Sequence, residues 1–424
     1  MSDFWFRLLG ISSYTLLIFL CGLPQIWGNI SLYMYSYYFD NDYDNDFGLL
    51  NFALLIELFV FFLGFLCYQS FGHKIPIFLI ITISVLALIL FCFLSSIITN
   101  GFLFIFVYNG LIGFFMGFIQ TIPFEKGTAF FKENRNKSRF RNFLLFFIGI
   151  NPFFFNLLAP SFCNPDNEPA FVTDKTYMYF REEVSDNFPG FIRFIGIIYT
   201  IIGVFATIGV FLTRNYNENE EIHEILIEPR KSYMEEKVEK SLLKTIFSCD
   251  FMKLFCMAVF SSILVEYLIV YYKEIGFVNY NNDKYLSVLG AFAFLFFNIG
   301  RVFWKFISKI MNNIFLPLTI VIIIQSLIGF LFKFAATKEG LLFVISCLML
   351  FIGGGQYSLY EKLVKCSFRD NKYRKILMVM VNFAFTVSLL IVIVTHYIFF
   401  ENIGYNNLII VMTLLGFLTF IFFL

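Results

Sequence analysis

Long apolar runs broken by short polar clusters organise this chain from end to end. A helix needs about 20 mostly apolar residues to cross the hydrocarbon core of a bilayer, and twelve runs meet or approach that length. The first six are Ile11–Tyr37, Leu49–Tyr68, Ile75–Ile97, Phe102–Pro123, Asn142–Ala159 and Phe191–Leu212. The second six are Phe251–Tyr272, Tyr285–Ile307, Ile314–Phe334, Leu341–Tyr360, Ile376–Phe400 and Asn407–Leu424. Span 5 is the least regular, because Pro152 interrupts a short apolar run. The longest polar stretch runs from Arg214 to Asp250, with His223 as a solvated side chain and an amphipathic helix expected over Met234–Phe247. The pattern predicts an all-α membrane protein of twelve transmembrane helices. Residues 1–213 would form one six-helix bundle, 214–250 a central loop and 251–424 a second six-helix bundle.

Lysine and arginine set the expected orientation, since they are retained on the cytoplasmic side. With the N-terminus inside, inner loops carry Lys126, Lys132, Arg135, Lys137, Arg139 and Arg141 after span 4. They also carry Arg230, Lys231, Lys237, Lys240 and Lys244 centrally, and Lys362, Lys365, Arg369, Lys372, Arg374 and Lys375 after span 10. Outer loops hold Lys175, Arg181, Lys273, Lys284, Lys333 and Lys338. Both termini are therefore expected in the cytoplasm, at the plasma membrane or an organelle membrane.

Composition narrows the class further. Hydrophobic residues make up 59% of the 424 and charged residues only 14%, against about 25% charged in soluble domains. A net charge of +1 gives no reason to expect a nucleic-acid partner. The 64 Phe residues fit codon bias in an A+T-rich genome, such as many protists have, and read largely as lipid-facing filler. Three His and eight Cys are scattered without CxxC or HExxH spacing, so neither a disulfide framework, a metal centre nor a cofactor is expected. No loop assembles a nucleophile with a base, which argues against an enzyme. The first apolar stretch is long enough to span and lacks a following cleavage site, so it reads as an anchor.

The two halves share a pattern. Span 4 ends Gly117-Phe-Ile-Gln120-Thr-Ile-Pro-Phe-Glu125-Lys126, and span 10 ends Gly353-Gly-Gly-Gln356-Tyr-Ser-Leu-Tyr-Glu361-Lys362. Gly-x-x-Gln-x-x-x-x-Glu-Lys precedes a basic loop both times. Duplicated halves related by an axis along the membrane normal follow from such a repeat, with Gln120 and Gln356 as partners near an inner gate.

Span 8 contains Asn298-Ile-Gly300-Arg301-Val-Phe-Trp304-Lys305. A charge in hydrocarbon costs about 3 kcal/mol or more unless it is paired or wetted. Arg301 either snorkels toward the inner face beside Lys305 or binds a substrate carboxylate through its planar fork. Span 1 reads Gln25-Ile-Trp27-Gly28-Asn29-Ile-Ser31-Leu32-Tyr33-Met-Tyr35-Ser36. Gln25, Asn29, Leu32, Tyr33 and Ser36 share one side at helical spacing, and a polar stripe on an apolar helix faces a wet cavity or another helix. Gly28 and Ser31 are small enough to pack against a neighbour. Glu57 in span 2 and Glu266 in span 7 are the carboxyls deep in the spans. Each could relay protons or serve as a structural hydrogen-bond partner. His396 lies near the outer end of span 11 and reads as interfacial.

These two stretches resemble major facilitator carriers of the oxalate–formate antiporter and monocarboxylate transporter group, and its protist members in particular. Such carriers have an Asn-x-Gly-Arg-x-x-Trp-Gly-like sequence in helix 8, and their first helix tends to read Trp-Gly-Asn-x-x-x-Tyr-x-x-Ser-Tyr. The resemblance implies that Arg301 meets the substrate carboxylate, with Asn29, Tyr33, Gln25, Asn298 and Trp304 around it. The Gln69-Ser70-Phe71-Gly72-His73-Lys74 loop resembles a degraded form of the family's Asp-Arg-x-Gly-Arg-Arg gate, as does Ser308-Lys309-Ile310 after span 8. Pro123 with Phe130-Phe131 matches a further signature after helix 4. Departures narrow the substrate. Phe385 stands where oxalate–formate exchangers have a second cation. Phe297 stands where monocarboxylate transporters have an acid, and span 1 lacks their lysine. One membrane arginine suits one carboxylate.

The expectation is a secondary-active transporter of small organic anions, such as pyruvate or lactate, working by alternating access with or without protons. Its partners would be the lipid bilayer and the carboxylate. Rival readings are a carrier of amino acids, with Glu57 or Glu266 on the amine, a drug or metabolite exporter, and a transport-inactive accessory subunit that pairs with another membrane protein.

Overall fold

The computed structural model describes residues 3–41, 52–172, 178–227, 242–368 and 373–423. Among these, eleven helices are long and apolar enough to span a membrane. They are α1 Phe4–Tyr38, α2 Ala53–Phe71, α3 Ile77–Ser95, α4 Gly101–Phe130, α5 Asn134–Cys163 and α6 Glu182–Arg214, then α7 Cys249–Phe277, α8 Asp283–Ile310, α9 Phe315–Ala335, α10 Glu339–Ser367 and α11 Arg374–Phe400. A shorter apolar helix, α12 over Asn407–Ile421, completes the set. Between α5 and α6 sits a small antiparallel hairpin, β1 Phe171–Val172 with β2 Met178–Tyr179.

Several helices depart locally from α geometry, with identifiable causes. In α1, Leu20–Ile26 winds as a 3₁₀ turn around Pro24, whose ring removes one backbone donor. In α4, Ile105–Ile112 widens to a π-helix. Gly404 has φ +67° and ψ 172°, a conformation tolerated by glycine alone, and it breaks the chain between α11 and α12. The sequence pattern misplaces some ends. Helix continues from Phe188 to Ile227, beyond the expected boundary at Arg214. Span 5 begins at Asn134, because the basic segment before Asn142 is itself helical. Of the amphipathic helix expected over Met234–Phe247, one turn at Leu242–Ile246 is described. The central Arg230, Lys231, Lys237 and Lys240 lie outside the described residues, as do Lys175, Arg369 and Lys372; the side chains of His73 and His223 do too.

Burial differs widely among the helices. The apolar window of α7 is 83% buried, against 33% for α3, where Leu79, Ile83, Leu86, Leu90 and Leu94 stand exposed at helical spacing. Within the first half α2 packs on α4 and α3 on α6; within the second α8 packs on α10, and α7 packs along the stretch Arg374–Phe417 that joins α11 to α12. The α9 helix meets α12 through Gly329 against Thr413 and Phe330 against Phe417. The halves meet along α1–α7, α2–α11 and α5–α8.

The duplication is visible in close glycine contacts, which let helix backbones approach. Gly64 of α2 lies on the carbonyl of Phe114 in α4, and Gly117 of α4 lies on that of Phe61 in α2. In the second half Gly300 of α8 lies on the carbonyl of Phe351 in α10, and Gly354 of α10 lies on that of Phe297 in α8. Gly117 thus corresponds to Gly354, one residue beyond the Gly353 that the sequence pattern selects. Gly353-Gly354-Gly355 made that register ambiguous. One residue turns a helix by about 100°, so the counterpart of Gln120 becomes Tyr357 rather than Gln356.

Candidate functional site

A cavity of about 200 Å³ lies between the halves. The N-terminal half contributes Cys21, Pro24 and Gln25 of α1, Leu54, Leu58, Phe61, Phe62 and Phe65 of α2, Gln120 of α4 and Ile148 of α5. The other half contributes Glu266 and Ile269 of α7, Phe294, Phe297 and Arg301 of α8, Tyr357 of α10, and Val379, Asn382, Phe383, Phe385 and Thr386 of α11. The walls are largely aromatic. Phe62 stacks on Phe383 across the interface with ring centroids 4.6 Å apart.

Arg301 is the one basic side chain in this lining and Glu266 the one carboxyl. The Nε of Arg301 is buried without a hydrogen-bond partner, and no ion pair involves Arg301 among the described residues. Helix α8 brings it there because Phe294, Phe297 and Arg301 recur at three- and four-residue spacing, one face of a helix. Glu266 accepts a hydrogen bond from the Tyr357 hydroxyl, and the Tyr357 ring stacks on Phe385 at 3.6 Å. Phe385 therefore lines the cavity where a second cation was looked for, and Phe297 lines it where an acid was.

Other residues expected at the site are placed elsewhere. Gln25 reaches the cavity while its Oε1 accepts from Asn298 Nδ2 at 3.1 Å, so Asn298 braces α1 from behind the lining and packs on Gly149. Trp304 is buried against Gly355 and Phe351, outside the lining. Glu57 sits within the N-terminal half, where Asn109 Nδ2 donates to it at 3.1 Å. Gln356 lies inside the C-terminal half and donates to the Ser261 carbonyl at 3.0 Å and to Gln325. Gln69 is half-buried and Gly72 packs on the Tyr68 ring, at the end of α2. His396 is buried among aromatic rings near the outer end of α11: its ring stacks on Tyr271 and Phe400 with centroids 4.0 and 4.6 Å apart.

Asn29 and Tyr33 belong to a second polar cluster, one to two turns from the cavity toward the end of the bundle opposite the N-terminus. Its centre is Lys273, which the sequence assigns to an outer loop and the structure buries to 1% exposure in α7. An apolar run that ends in Tyr271-Tyr272-Lys273 gave no sign that the helix continues to Phe277. Lys273 Nζ pairs with Asp283 Oδ1 at 2.6 Å and donates to Asn29 Oδ1 at 2.7 Å and to the Asn29 carbonyl at 3.2 Å. It also sits 4.0 Å from the centre of the Tyr33 ring. Asp283 Oδ2 accepts from the Tyr33 hydroxyl and from Asn164 Nδ2, the latter at 3.0 Å. Ser287 Oγ donates to Asn29 Oδ1 at 2.9 Å. Sequence reasoning passed over Asp283, Asn164 and Ser287, because they lie at or beyond the ends of apolar runs and are joined only by folding.

No protein-family model matches the sequence, and neither does any curated protein. Solved structures do match the fold. A crystal structure of a D-xylose-proton symporter superposes with a TM-score of 0.66 at 11% identity, over 98% of this chain and 96% of that one. The chain thus has the major facilitator fold of a multi-pass membrane protein.

Proposed function

We propose that this protein is a secondary-active transporter that moves small organic anions, most simply monocarboxylates such as pyruvate or lactate, by alternating access between its halves. The observation that carries the reading is Arg301, whose guanidinium stands on the wall of a cavity shared by both halves with its Nε lacking an acceptor and no ion pair among the described residues. A permanently charged fork whose Nε has no acceptor, and which has no ion pair among the described residues, suits an incoming carboxylate, which it can hold by two parallel hydrogen bonds. A single cation in the lining favours one carboxylate over two. The symporter neighbour's fold supports secondary-active transport in general, and proton linkage would fall to Glu266, the carboxyl that shares the cavity.

The inner-loop basic residues favour cytoplasmic termini. With that orientation the Lys273 cluster lies on the outer side of the cavity. Glu266 also favours a second reading. A zwitterion could place its carboxylate on Arg301 and its amine on Glu266, with an apolar side chain against the phenylalanines.

Uptake by purified protein in proteoliposomes, with labelled pyruvate, lactate and a set of amino acids, separates these readings. Uptake of monocarboxylates that depends on Arg301 supports the first. Uptake restricted to amino acids supports the second. No uptake of any carboxylate by correctly inserted protein would remove both.

A further inference from the structure

We propose that Lys273 and Asp283 form the gate at the far end of the transport pathway, a charge-neutral plate on the C-terminal half that closes by docking on Asn29, Tyr33 and Asn164 of the N-terminal half. This rests on the alternating-access reading, but not on the identity of the substrate.

The division of partners between the halves carries the argument. Lys273 of α7 and Asp283 of α8 belong to the same half and hold each other at 2.6 Å. Every further polar contact of the pair crosses to the other half. Lys273 donates to Asn29 of α1, and Asp283 accepts from Tyr33 of α1 and from Asn164 at the end of α5. A purely structural ion pair would find its supporting hydrogen bonds within its own bundle. Here rocking the halves apart leaves the ions together and breaks only neutral-to-charged hydrogen bonds, which water can replace as the gap opens. Opposite charges never need to be separated, and that separation is what makes breaking a buried pair so costly.

The cluster is also in the right place. Gln25 and Ile269 line the cavity, and Asn29 and Lys273 each lie four residues further along the same helices, about 6 Å. Between them Gly28 sits against the carbonyl of Ile269 and the ring of Tyr272, so the two backbones meet with no room for a side chain. At the rim, Lys284 Nζ donates to the Pro165 carbonyl at 2.7 Å and its backbone N–H to Asn167 Oδ1 at 3.0 Å. Glycine contact, polar latch and rim follow one another from the cavity to that end.

Pulsed spin-label distance measurements on the full chain in lipid nanodiscs test the gate without any substrate. Labels go at Glu182→Cys and Lys338→Cys, exposed positions at the far ends of the two halves, after Cys249 and Cys366 are changed to Ser. Wild type should give mainly the short distance. Tyr33→Phe keeps the ring and its stacking on Phe180 but loses the bond to Asp283, and should raise the ratio of long to short distances about tenfold. Gly28→Leu should do the same by wedging α1 from α7, with every polar group of the cluster left in place. Lys375→Ala, at the opposite end beside Glu125, should not lengthen the far-end distance. Unchanged distributions in both Tyr33→Phe and Gly28→Leu would overturn the gate, as would an equal lengthening by Lys375→Ala. Should the distances shift while no carboxylate is taken up, the gate stands and the substrate reading falls.

Discussion

Two cations lie between the halves, Lys273 fully buried and Arg301 half-buried on a cavity wall, and their surroundings are opposite. Lys273 has an ion pair at 2.6 Å, two oxygens of Asn29 and an aromatic face. Arg301 has a buried Nε with no acceptor and no ion pair among the described residues. Removing an ion from water costs several kcal/mol, which is repaid only by close geometry and full hydrogen bonding. Lys273 meets that condition within the protein. Arg301 does not, and proteins tolerate such a cost chiefly where function needs it. Both regions hold a cation between the halves, one buried and one half-buried. On the proposed function, what separates a structural cation from a binding one is whether the chain already satisfies the charge.

The sharpest way to break this comparison is to delete each cation's role in turn. Arg301→Ala should insert normally but lose carboxylate uptake by about a hundredfold or more, since the site would hold no cation for the substrate. Arg301→Lys should lose most of it as well, because a point charge does not replace the fork. Near-normal uptake by inserted Arg301→Ala would make this arginine a snorkelling residue and end the anion-carrier reading.

The stabilities should move in the opposite order. Asp283→Leu strands a buried ammonium and should destabilise the protein by about 3–5 kcal/mol, with recovery in the double variant Asp283→Leu/Lys273→Met. Arg301→Ala removes a half-buried cation that has no ion pair among the described residues and should leave thermal unfolding in detergent nearly unchanged. A larger loss of melting temperature in Arg301→Ala than in Asp283→Leu would invert the comparison.

How much of this was legible in the sequence follows the same division. Twelve apolar runs and a repeated glycine pattern suffice for the fold, because burial in lipid imposes a strong period on composition. Arg301 stood out because a guanidinium in an apolar run has nowhere to hide. Lys273 did not, since one lysine at the end of a run reads equally as a loop or as a buried residue. Only folding brings Asp283 and Asn164 to it across 10 and 109 positions of chain. Asn29 and Tyr33 were legible as polar residues with a purpose, but a helical stripe gives no depth. It could not tell a cavity wall from a closed gate one turn away. The one-residue slip between Gln356 and Tyr357 has the same root, since three consecutive glycines offer three registers and only the packing against Phe297 selects one.

The two carboxyls sharpen the comparison further. Glu266 shares the cavity with Arg301, while Glu57 is bonded to Asn109 inside one half. Each Glu→Gln change keeps shape and hydrogen bonding but removes titration. If transport is proton-linked, Glu266→Gln should flatten the pH dependence of net uptake while leaving exchange intact. Glu57→Gln should keep the pH profile. A flattened profile in Glu57→Gln alone would move coupling away from the cavity, and no change in either would point to a uniporter or another ion.

The smallest effect expected is a gain. Phe385 lies on the cavity wall stacked on Tyr357, and the lining offers one cation for one carboxylate. Phe385→Lys would add a second positive charge across from Arg301 at the loss of the aromatic stack, worth about 1 kcal/mol. A charge-assisted hydrogen bond contributes about 1.5–3 kcal/mol, so the net gain for a dicarboxylate should be modest, about tenfold. Competition of unlabelled oxalate against labelled monocarboxylate uptake measures it, and the variant should shift the half-inhibiting concentration downward while monocarboxylate uptake weakens. The comparison of the two regions explains why this position can accept the lysine. At Lys273 the close oxygens of Asp283 and Asn29 already serve the ammonium, whereas the cavity around Arg301 and Phe385 has spare volume, with Glu266 in its lining and Glu361 behind Asn382 as the nearby carboxyls. Should the new lysine instead pair with Glu266, oxalate competition would stay at the wild-type level and uptake of zwitterions would fall. The cavity would then be one that balances its own charges, as the far end does.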